Sequence, residues 1–199
     1  MILELKNIEK TFGEKKVLTG VSFKAEGGKA FGLLGRNGAG KTTSIRILMD
    51  VFPANSGEVL IDGKPIDYSK IGIGYLPEER GLYPKKIIID QLTYFAELKG
   101  MSRKAAVQSI DHWLDRLGMN EYRNKRLDTL SKGNQQKIQL ITALAHNPDI
   151  VILDEPFSGL DPVNAMLLKD VVKEQIAKDA PHCPAPVSVV IFVIPCCLQ

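Results

Sequence analysis

One stretch decides the fold of this chain: Ala30-Phe31-Gly32-Leu33-Leu34-Gly35-Arg36-Asn37-Gly38-Ala39-Gly40-Lys41-Thr42. The short apolar run Ala30–Leu34 is typical of a central strand buried on both faces. Gly35–Thr42 then fits the pattern G-x-x-x-x-G-K-[ST] in full. Thr42–Val51 continues with the apolar spacing of a helix. Strand, glycine loop and helix in this order predict an α/β core that binds phosphate.

The glycine loop has the chemistry of a phosphate cradle. Its glycines let backbone N–H groups turn inward around phosphate oxygens without a Cβ clash, and the helix N-terminus adds the positive end of its dipole. Lys41 is placed to reach the β- and γ-phosphates, and Thr42 to place its hydroxyl on Mg²⁺. The alternative, an ordinary glycine turn before a helix, is less consistent with the sequence, because Lys41 and Thr42 occupy the positions that the phosphate-loop pattern requires. The expected nucleotide contacts are Gly35, Asn37, Gly38, Ala39, Gly40, Lys41, Thr42 and Thr43.

A second motif, Asp149–Glu155, consists of an apolar strand that ends in two carboxylates. Asp154 is placed to hold Mg²⁺ through water, and Glu155 to polarise an attacking water as a general base. The alternative is a strand that merely ends in solvated acids. The phosphate loop upstream favours the catalytic interpretation.

The remaining patterns predict an α/β core interrupted by a helical insert at about residues 77–147. Further strands are predicted at Ile2–Ile8, Val17–Ala25, Gly57–Asp62 and Ile71–Leu76. Helices are predicted at Ile89–Lys99, Arg103–Leu117, Ser131–His146 and Pro162–Lys178, with Ser102 and Ser131 as N-caps.

Bulk composition is that of an ordinary soluble protein. The 26 basic against 23 acidic side chains give too small an excess to argue for a nucleic-acid partner. The first residues lack the pattern of a signal peptide, and the late apolar run Val187–Ile194 is too short to span a bilayer. We therefore expect a cytoplasmic chain, with its three cysteines reduced and without a zinc site.

Leu130-Ser131-Lys132-Gly133-Asn134-Gln135-Gln136-Lys137 lies between the two motifs and resembles the signature of the ATP-binding-cassette (ABC) family, usually Leu-Ser-Gly-Gly-Gln. Lys132 and Asn134 depart from that signature, whereas Ser131 and Gly133 match it. Independently of the resemblance, Ser131 stands at a helix N-terminus that is suited to an anion. An ordinary capped helix is the alternative. The resemblance covers about residues 2–178, so the domain is expected at 1–179.

Other positions match the family once the signature is aligned. Phe12 corresponds to the aromatic that stacks on adenine, with a core aromatic as the alternative. Glu78, within Gly74–Tyr83, replaces the glutamine of the Q-loop and would meet Mg²⁺ or its water. Asp161, in Ser158–Asp161, matches the D-loop and joins the expected catalytic residues Lys41, Glu78 and Glu155. The implied fold is an ABC-type phosphate-loop core with an inserted helical subdomain and an antiparallel β portion near the N-terminus.

The resemblance also implies partners and a mechanism. Two such domains would pack head to tail, as a homo- or heterodimer, with ATP and Mg²⁺ between the phosphate loop of one and Ser131, Gly133 and Asn134 of the other. Membrane-spanning subunits would be contacted near Glu78–Tyr83, at the inner face of the cell membrane. The signature and Glu78 resemble bacterial export ATPases of the sodium- or drug-efflux type. The alternatives are a non-catalytic ATP-binding remnant and a soluble ABC ATPase acting on ribosomes or DNA.

The C-terminal tail departs from the family. The family has a catalytic histidine on the strand after the D-loop helix, and none of His112, His146 and His182 lies there. His146 is expected to be a cation at a helix end. After Asp179 the chain has no Asp, Glu, Lys or Arg, so residues 180–199 are interpreted as a divergent tail, out of frame. The alternative is a closing strand at Val187–Ile194. Loss of the usual last strands predicts an exposed strand edge and low solubility or dependence on a partner.

Overall fold

The fold contains two four-stranded sheets and five α-helices in the part of the chain that the computed structural model describes, residues 1–79, 81–158, 161–176 and 189–195. The strands are β1 (Ile2–Phe12), β2 (Lys15–Glu26), β3 (Ala30–Gly35), β4 (Ser56–Ile61), β5 (Lys64–Pro65), β6 (Ile73–Leu76), β7 (Ile150–Asp154) and β8 (Val189–Pro195). The helices are α1 (Lys41–Leu48), α2 (Ile88–Leu98), α3 (Arg103–Arg116), α4 (Lys132–Leu144) and α5 (Pro162–Ile176).

The first sheet is antiparallel, with strand order β2-β1-β4-β5. β1 and β2 form a hairpin in which Phe12 pairs with Lys15, and Gly13 turns the chain with φ +58°. β1 continues four residues beyond the predicted end at Ile8, because register shifts keep it paired with β2 as far as Phe12. The expected antiparallel portion near the N-terminus is confirmed.

The second sheet is parallel, with strand order β3-β8-β7-β6. All five residues of β7 are buried, as its apolar sequence predicts for a central parallel strand. One apolar layer packs α1 and the antiparallel sheet against one face of this sheet. The other face packs on the helical insert and α5. The phosphate loop and the two acids of the second motif both follow strands of this sheet.

The helical insert forms as predicted, within about two residues at each helix end. α2, α3 and α4 share one apolar core through side chains such as Leu92, Ile110 and Ile141. Ser102 and Ser131 cap α3 and α4, since each hydroxyl accepts a hydrogen bond at 3.3 Å from the backbone N–H three residues later. Both N-cap predictions are confirmed.

The prediction that Ala30–Leu34 is buried on both faces is wrong. β3 lies at an edge of the parallel sheet within the described ranges, and the Leu34 side chain is 64% exposed. The physical reason is that β8 pairs with β3 on one side only. The sequence led us to expect an exposed strand edge, and in the described part of the sheet β3 is one. Its consequence for solubility stays a prediction.

The tail contributes a strand to the middle of the parallel sheet. β8 lies between β3 and β7, where Pro195 is in register with Gly35 and Val193 with Asp154. The described part of the tail therefore has the form of the closing strand. The interpretation as an out-of-frame segment stays a prediction, which resequencing tests. His182 and the three cysteines lie outside the described residues.

Candidate nucleotide-binding site

The phosphate loop joins β3 to α1 through backbone conformations that require glycine. Gly38 has φ +82° and Gly40, the N-cap of α1, has φ +86°. A Cβ on Gly40 would lie 2.4 Å from Cδ2 of Leu18 and 3.1 Å from the carbonyl oxygen of Val17. The loop therefore packs directly against β2, and only glycine fits there.

Lys41 closes over the loop from the first turn of α1. Its Nζ donates to the carbonyl oxygens of Gly35 at 2.6 Å and Arg36 at 3.1 Å. The ammonium group is thus held at the loop by backbone carbonyls. Helix geometry leaves the N–H groups of the first turn of α1 without intrahelical acceptors, so amide dipoles and the lysine charge favour an anion at the same place.

Asp154 ends β7 with a nearly buried carboxylate. The residue is 5% exposed, and its Oδ2 accepts a hydrogen bond from the Tyr75 hydroxyl at 3.2 Å. Burial raises the pKa of Asp154, and the charge of Glu78 adds to the rise, whereas the Tyr75 hydrogen bond and the Lys41 charge oppose it. Burial also raises the pKa of Tyr75 to about 12, so the hydroxyl stays a donor at neutral pH.

Glu155 follows in an unusual backbone conformation. Its φ is +48°, which few non-glycine residues adopt, and its N–H donates to the carbonyl oxygen of Val193 in β8 at 3.0 Å. Burial and then the charges of Glu78 and Asp154 raise the pKa of Glu155, against the effect of Lys41. A carboxylate with a raised pKa is better suited to accept a proton from water.

The carboxylates of Asp154 and Glu155 are affected by the same two nearby charges. Glu78 raises and Lys41 lowers the pKa of both Asp154 and Glu155. The described side chains contain no group of three or more His, Cys, Asp or Glu that could hold a metal by themselves. Mg²⁺ usually keeps several waters and binds through one or two carboxylates plus substrate phosphates. A buried carboxylate beside a phosphate cradle fits that preference, with Asp154, Thr42 and Glu78 as the expected donors.

Two glutamines of α4 hold the segments on which Glu78 and Glu155 lie. The amide of Gln139, which is 7% exposed, donates to the carbonyl oxygen of Glu79 at 3.0 Å. Gln136 donates to the carbonyl oxygen of Pro156 at 2.8 Å. Sequence reasoning missed both contacts. Their only signal was a run of amides on a helix whose neighbouring positions are apolar.

The signature residues lie beside the start of α5 in the same chain. Ser131 is exposed, and a Cβ on Gly133 would be 3.0 Å from Nδ2 of Asn164. Asp161 caps α5, because its Oδ1 accepts from the N–H groups of Val163 and Asn164, each at 3.0 Å. These backbone hydrogen bonds lower the pKa of Asp161. Gly159 and Leu160 of the D-loop match lie outside the described residues.

Phe12 presents an open ring at the end of β1. The residue is 47% exposed and meets Phe52 edge to face, with ring centroids 5.4 Å apart. Nζ of Lys10 lies 5.2 Å from the centroid of the Phe12 ring and donates to the carbonyl oxygen of Pro53. This exposure does not fit a core aromatic, whereas it leaves a ring face for stacking.

The expectation of a charged His146 is wrong. The side chain is half-buried beneath β6, with its Nε2 3.2 Å from the carbonyl oxygen of Ile73. Burial lowers the pKa of His146 and outweighs that hydrogen bond, and the nearby Lys99 lowers it further. The imidazole is therefore neutral at pH 7. His112 lies on the exposed side of α3 against the Trp113 ring.

Strand, glycine loop, helix and a second strand ending in acids together define a nucleotide-binding protein of the phosphate-loop class. The family model described as ABC transporter matches residues 18–158. An uncharacterized ABC transporter ATP-binding protein of Methanocaldococcus jannaschii is 51% identical over 172 residues, which are 86% of this chain and 63% of that one. The uncharacterized ABC transporter ATP-binding protein YhaQ of Bacillus subtilis is 49% identical over 172 residues, 86% of this chain and 58% of its own.

Solved structures point to the same family. One described as the ATP binding subunit of an ABC transporter superposes with a TM-score of 0.84 at 26% identity, over 98% of this chain and 80% of that one. The chain belongs to the ABC transporter family. Its matched residues span about 60% of the length of the two relatives, 63% and 58%.

Proposed function

We propose that this chain is the ATP-binding and ATP-hydrolysing subunit of a bacterial ABC export transporter. The observation that carries the proposal is the joint placement of Lys41, Asp154 and Glu155. The ammonium group of Lys41 is held at the phosphate loop, and its charge acts on both carboxylates. A cation at a phosphate cradle beside two acids is the arrangement that phosphoryl transfer to water needs.

In the proposed mechanism the loop amides and Lys41 bind the β- and γ-phosphates. Thr42 and Asp154, with Glu78 nearby, would hold Mg²⁺, which neutralises phosphate charge when it is bound. Glu155 orients the attacking water and accepts its proton, aided by its raised pKa. Phe12 stacks on the adenine. Catalysis then consists of positioning and electrostatics.

The second ABC domain is proposed to dock head to tail. Ser131 is exposed at the N-terminus of α4, where it can meet the γ-phosphate of ATP held by another copy or by a related domain. Gly133 and Asn134 lie in the first turn of the same helix. Asp161, packed beside Gly133, would follow the same interface.

A cleft between the phosphate-loop core and the helical insert supports a membrane-spanning partner. It has a volume of about 700 Å³ and is lined by residues of α1, β6, α2 and α4. At its rim, Val51 is 61% and Leu98 is 64% exposed, so a partner that docks there would meet apolar side chains. No helix in the described ranges is long and apolar enough to cross a membrane. The chain would therefore lie on the inner face of the membrane through this partner.

Turnover by this chain is proposed to be slow. The family's histidine is expected at the end of the strand that β8 forms, and here that strand ends in Ile194 and Pro195. Binding uses the loop and Phe12, so we expect it to be retained. This residue pattern favours a second candidate, a non-catalytic ATP-binding remnant. ATP turnover measured with the membrane subunits present discriminates the two, since a remnant shows none.

The binding assignment is tested with variants of the loop. Lys41→Ala should abolish ATP binding, measured by calorimetry, while Glu155→Gln should bind ATP and stop any hydrolysis. Lys29→Ala is the matched control, because Lys29 is an exposed lysine paired with Glu26 on the surface. Unchanged ATP affinity in Lys41→Ala would refute the assignment of the loop.

A further inference from the structure

A tyrosine that was not among the expected site residues contacts the acid expected at Mg²⁺. Tyr75 lies on β6, and its hydroxyl donates to Oδ2 of Asp154 at 3.2 Å. A phenol is a hydrogen-bond donor at neutral pH, and a bond to a carboxylate is among the stronger ones. The bond at Oδ2 restricts the rotation of the carboxylate, so the remaining lone pairs keep one orientation toward a metal ion or its water.

The parallel register explains why Tyr75 reaches Asp154. Tyr75 is in register with Ile152 on β7, and Asp154 follows Ile152 by two residues. Side chains two residues apart in a strand share a face of the sheet, so Tyr75, Ile152 and Asp154 point to the same side. Diagonal neighbours on adjacent strands are within reach of long aromatic side chains. The contact therefore depends on the backbone register, which buried strands define strongly.

The ring of Tyr75 packs against apolar side chains and lines a cleft. It is half-buried against the apolar layer that includes Ile152. It also forms part of the wall of the cleft that is proposed to receive the membrane subunit. One side chain thus belongs both to the cleft and to the metal site.

We propose that Tyr75 is a positioning residue for the metal ion. Its hydroxyl holds the carboxylate of Asp154 in the orientation that Mg²⁺ requires. The inference rests on the proposed function, because it concerns Mg²⁺ at the same nucleotide site. Tyr75 acts through Asp154, and no contact of its own with the nucleotide is needed. Partners of metal-binding side chains fix ligand orientation, and their loss typically weakens metal affinity about 10- to 100-fold.

Tyr75→Phe removes the hydroxyl and keeps the ring. We expect the affinity of the protein–ATP complex for Mn²⁺, used as a paramagnetic probe and followed by electron paramagnetic resonance, to fall about 10-fold or more. ATP affinity without divalent metal should stay within about twofold of the unchanged chain, because the phosphate loop is intact. A merely structural role for Tyr75 would not separate these two affinities.

Tyr68→Phe is the matched control. Tyr68 lines the same cleft and is half-buried, and its hydroxyl makes no hydrogen bond to Asp154 among the described contacts. We expect this variant to bind Mn²⁺ normally. Tyr75→Met, which lacks the hydroxyl but differs in shape, should lose the same affinity as Tyr75→Phe, so either folded variant gives the answer.

A double-mutant cycle tests whether Tyr75 affects the metal ion through Asp154. In an Asp154→Asn background, Tyr75→Phe should cause no further loss of Mn²⁺ affinity, since the two side chains act as one unit. Independent, multiplying losses would overturn the inference. So would normal Mn²⁺ affinity in folded Tyr75→Phe with ATP still bound. If the unchanged chain does not bind ATP at all, the proposed function fails instead, and the inference with it.

Discussion

The contact between β6 and α4 is tight enough to be tested with one methyl group. Gly74 is buried on β6, and a Cβ built on it would lie 2.0 Å from the carbonyl oxygen of Ala143 and 2.9 Å from Cγ of Pro148. Its φ lies outside the left-handed region, so alanine has no backbone strain there. Gly74→Ala therefore tests steric exclusion, offset only by the small gain that alanine gives over glycine in a strand.

The cost follows from what must move. Real Cβ atoms essentially never approach a heavy atom closer than 3.0 Å, so Ala143 must retreat by about 1 Å. The obstacle is helix backbone, which cannot swing away as a side chain can. Overpacking typically costs about 1–3 kcal/mol, and we expect a loss at the upper end, about 3 kcal/mol. For a chain of this size that lowers Tm by about 6–12 °C.

Urea unfolding followed by circular dichroism gives the comparison. Gly32→Ala is the matched control, because Gly32 lies on edge strand β3 and its Cβ would meet nothing within 4 Å. Its free energy of unfolding should stay the same or rise by up to about 1 kcal/mol, as alanine is better than glycine in a strand. Equal stability of Gly74→Ala and the unchanged chain, or equal losses in both variants, would refute the close approach of α4 to β6.

Three further predictions concern single side chains. Burial lowers the pKa of His146 in the folded chain below the unfolded value of about 6.5. The contribution of His146 to the free energy of unfolding is therefore complete above the unfolded pKa, and it is lost as the pH falls toward the folded pKa. His146→Gln should flatten this decline in urea titrations, and an unchanged slope would contradict it. Ser131→Ala and Ser102→Ala should each lose about 1 kcal/mol of stability, because each removes an N-cap. Only Ser131→Ala should also weaken ATP-driven self-association, measured by analytical ultracentrifugation. Equal self-association of the two variants would contradict a role of Ser131 in trans. Phe12→Ala should weaken ATP binding in calorimetry by about 1–3 kcal/mol through lost stacking, whereas Phe12→Trp should retain it, and normal affinity in the alanine variant would exclude stacking.

Most elements were predictable because their patterns are local. The glycine loop needs backbone conformations that few residues allow, and Gly38 and Gly40 have the positive φ values that the motif implies. β7 is apolar at each of its first four residues and ends in Asp154, which matches a central strand with an acid at its carboxyl end. Ser102 and Ser131 precede helical runs and cap them.

The errors and omissions came from contacts between distant parts of the chain. The apolar sequence of β3 is that of a central strand, yet only the sheet order makes it an edge. His146 follows a helix end, where a cation is favoured, but β6 and α4 bury it. Neither Tyr75 nor Gln139 was expected in the site, and their hydrogen bonds depend on strand register and helix docking, which periodicity does not encode.

The lack of charge in β8, the described part of the tail, has a physical reason within the fold. A strand between two parallel neighbours is buried on both faces, so charged side chains are excluded from it. Val189, Val190 and Ile191 of β8 are fully buried in that position. The same strand pairs with β3, which precedes the phosphate loop, and its Val193 carbonyl accepts the N–H of Glu155. The uncharged run at 189–194 therefore positions both halves of the candidate site, whatever the origin of the residues around it.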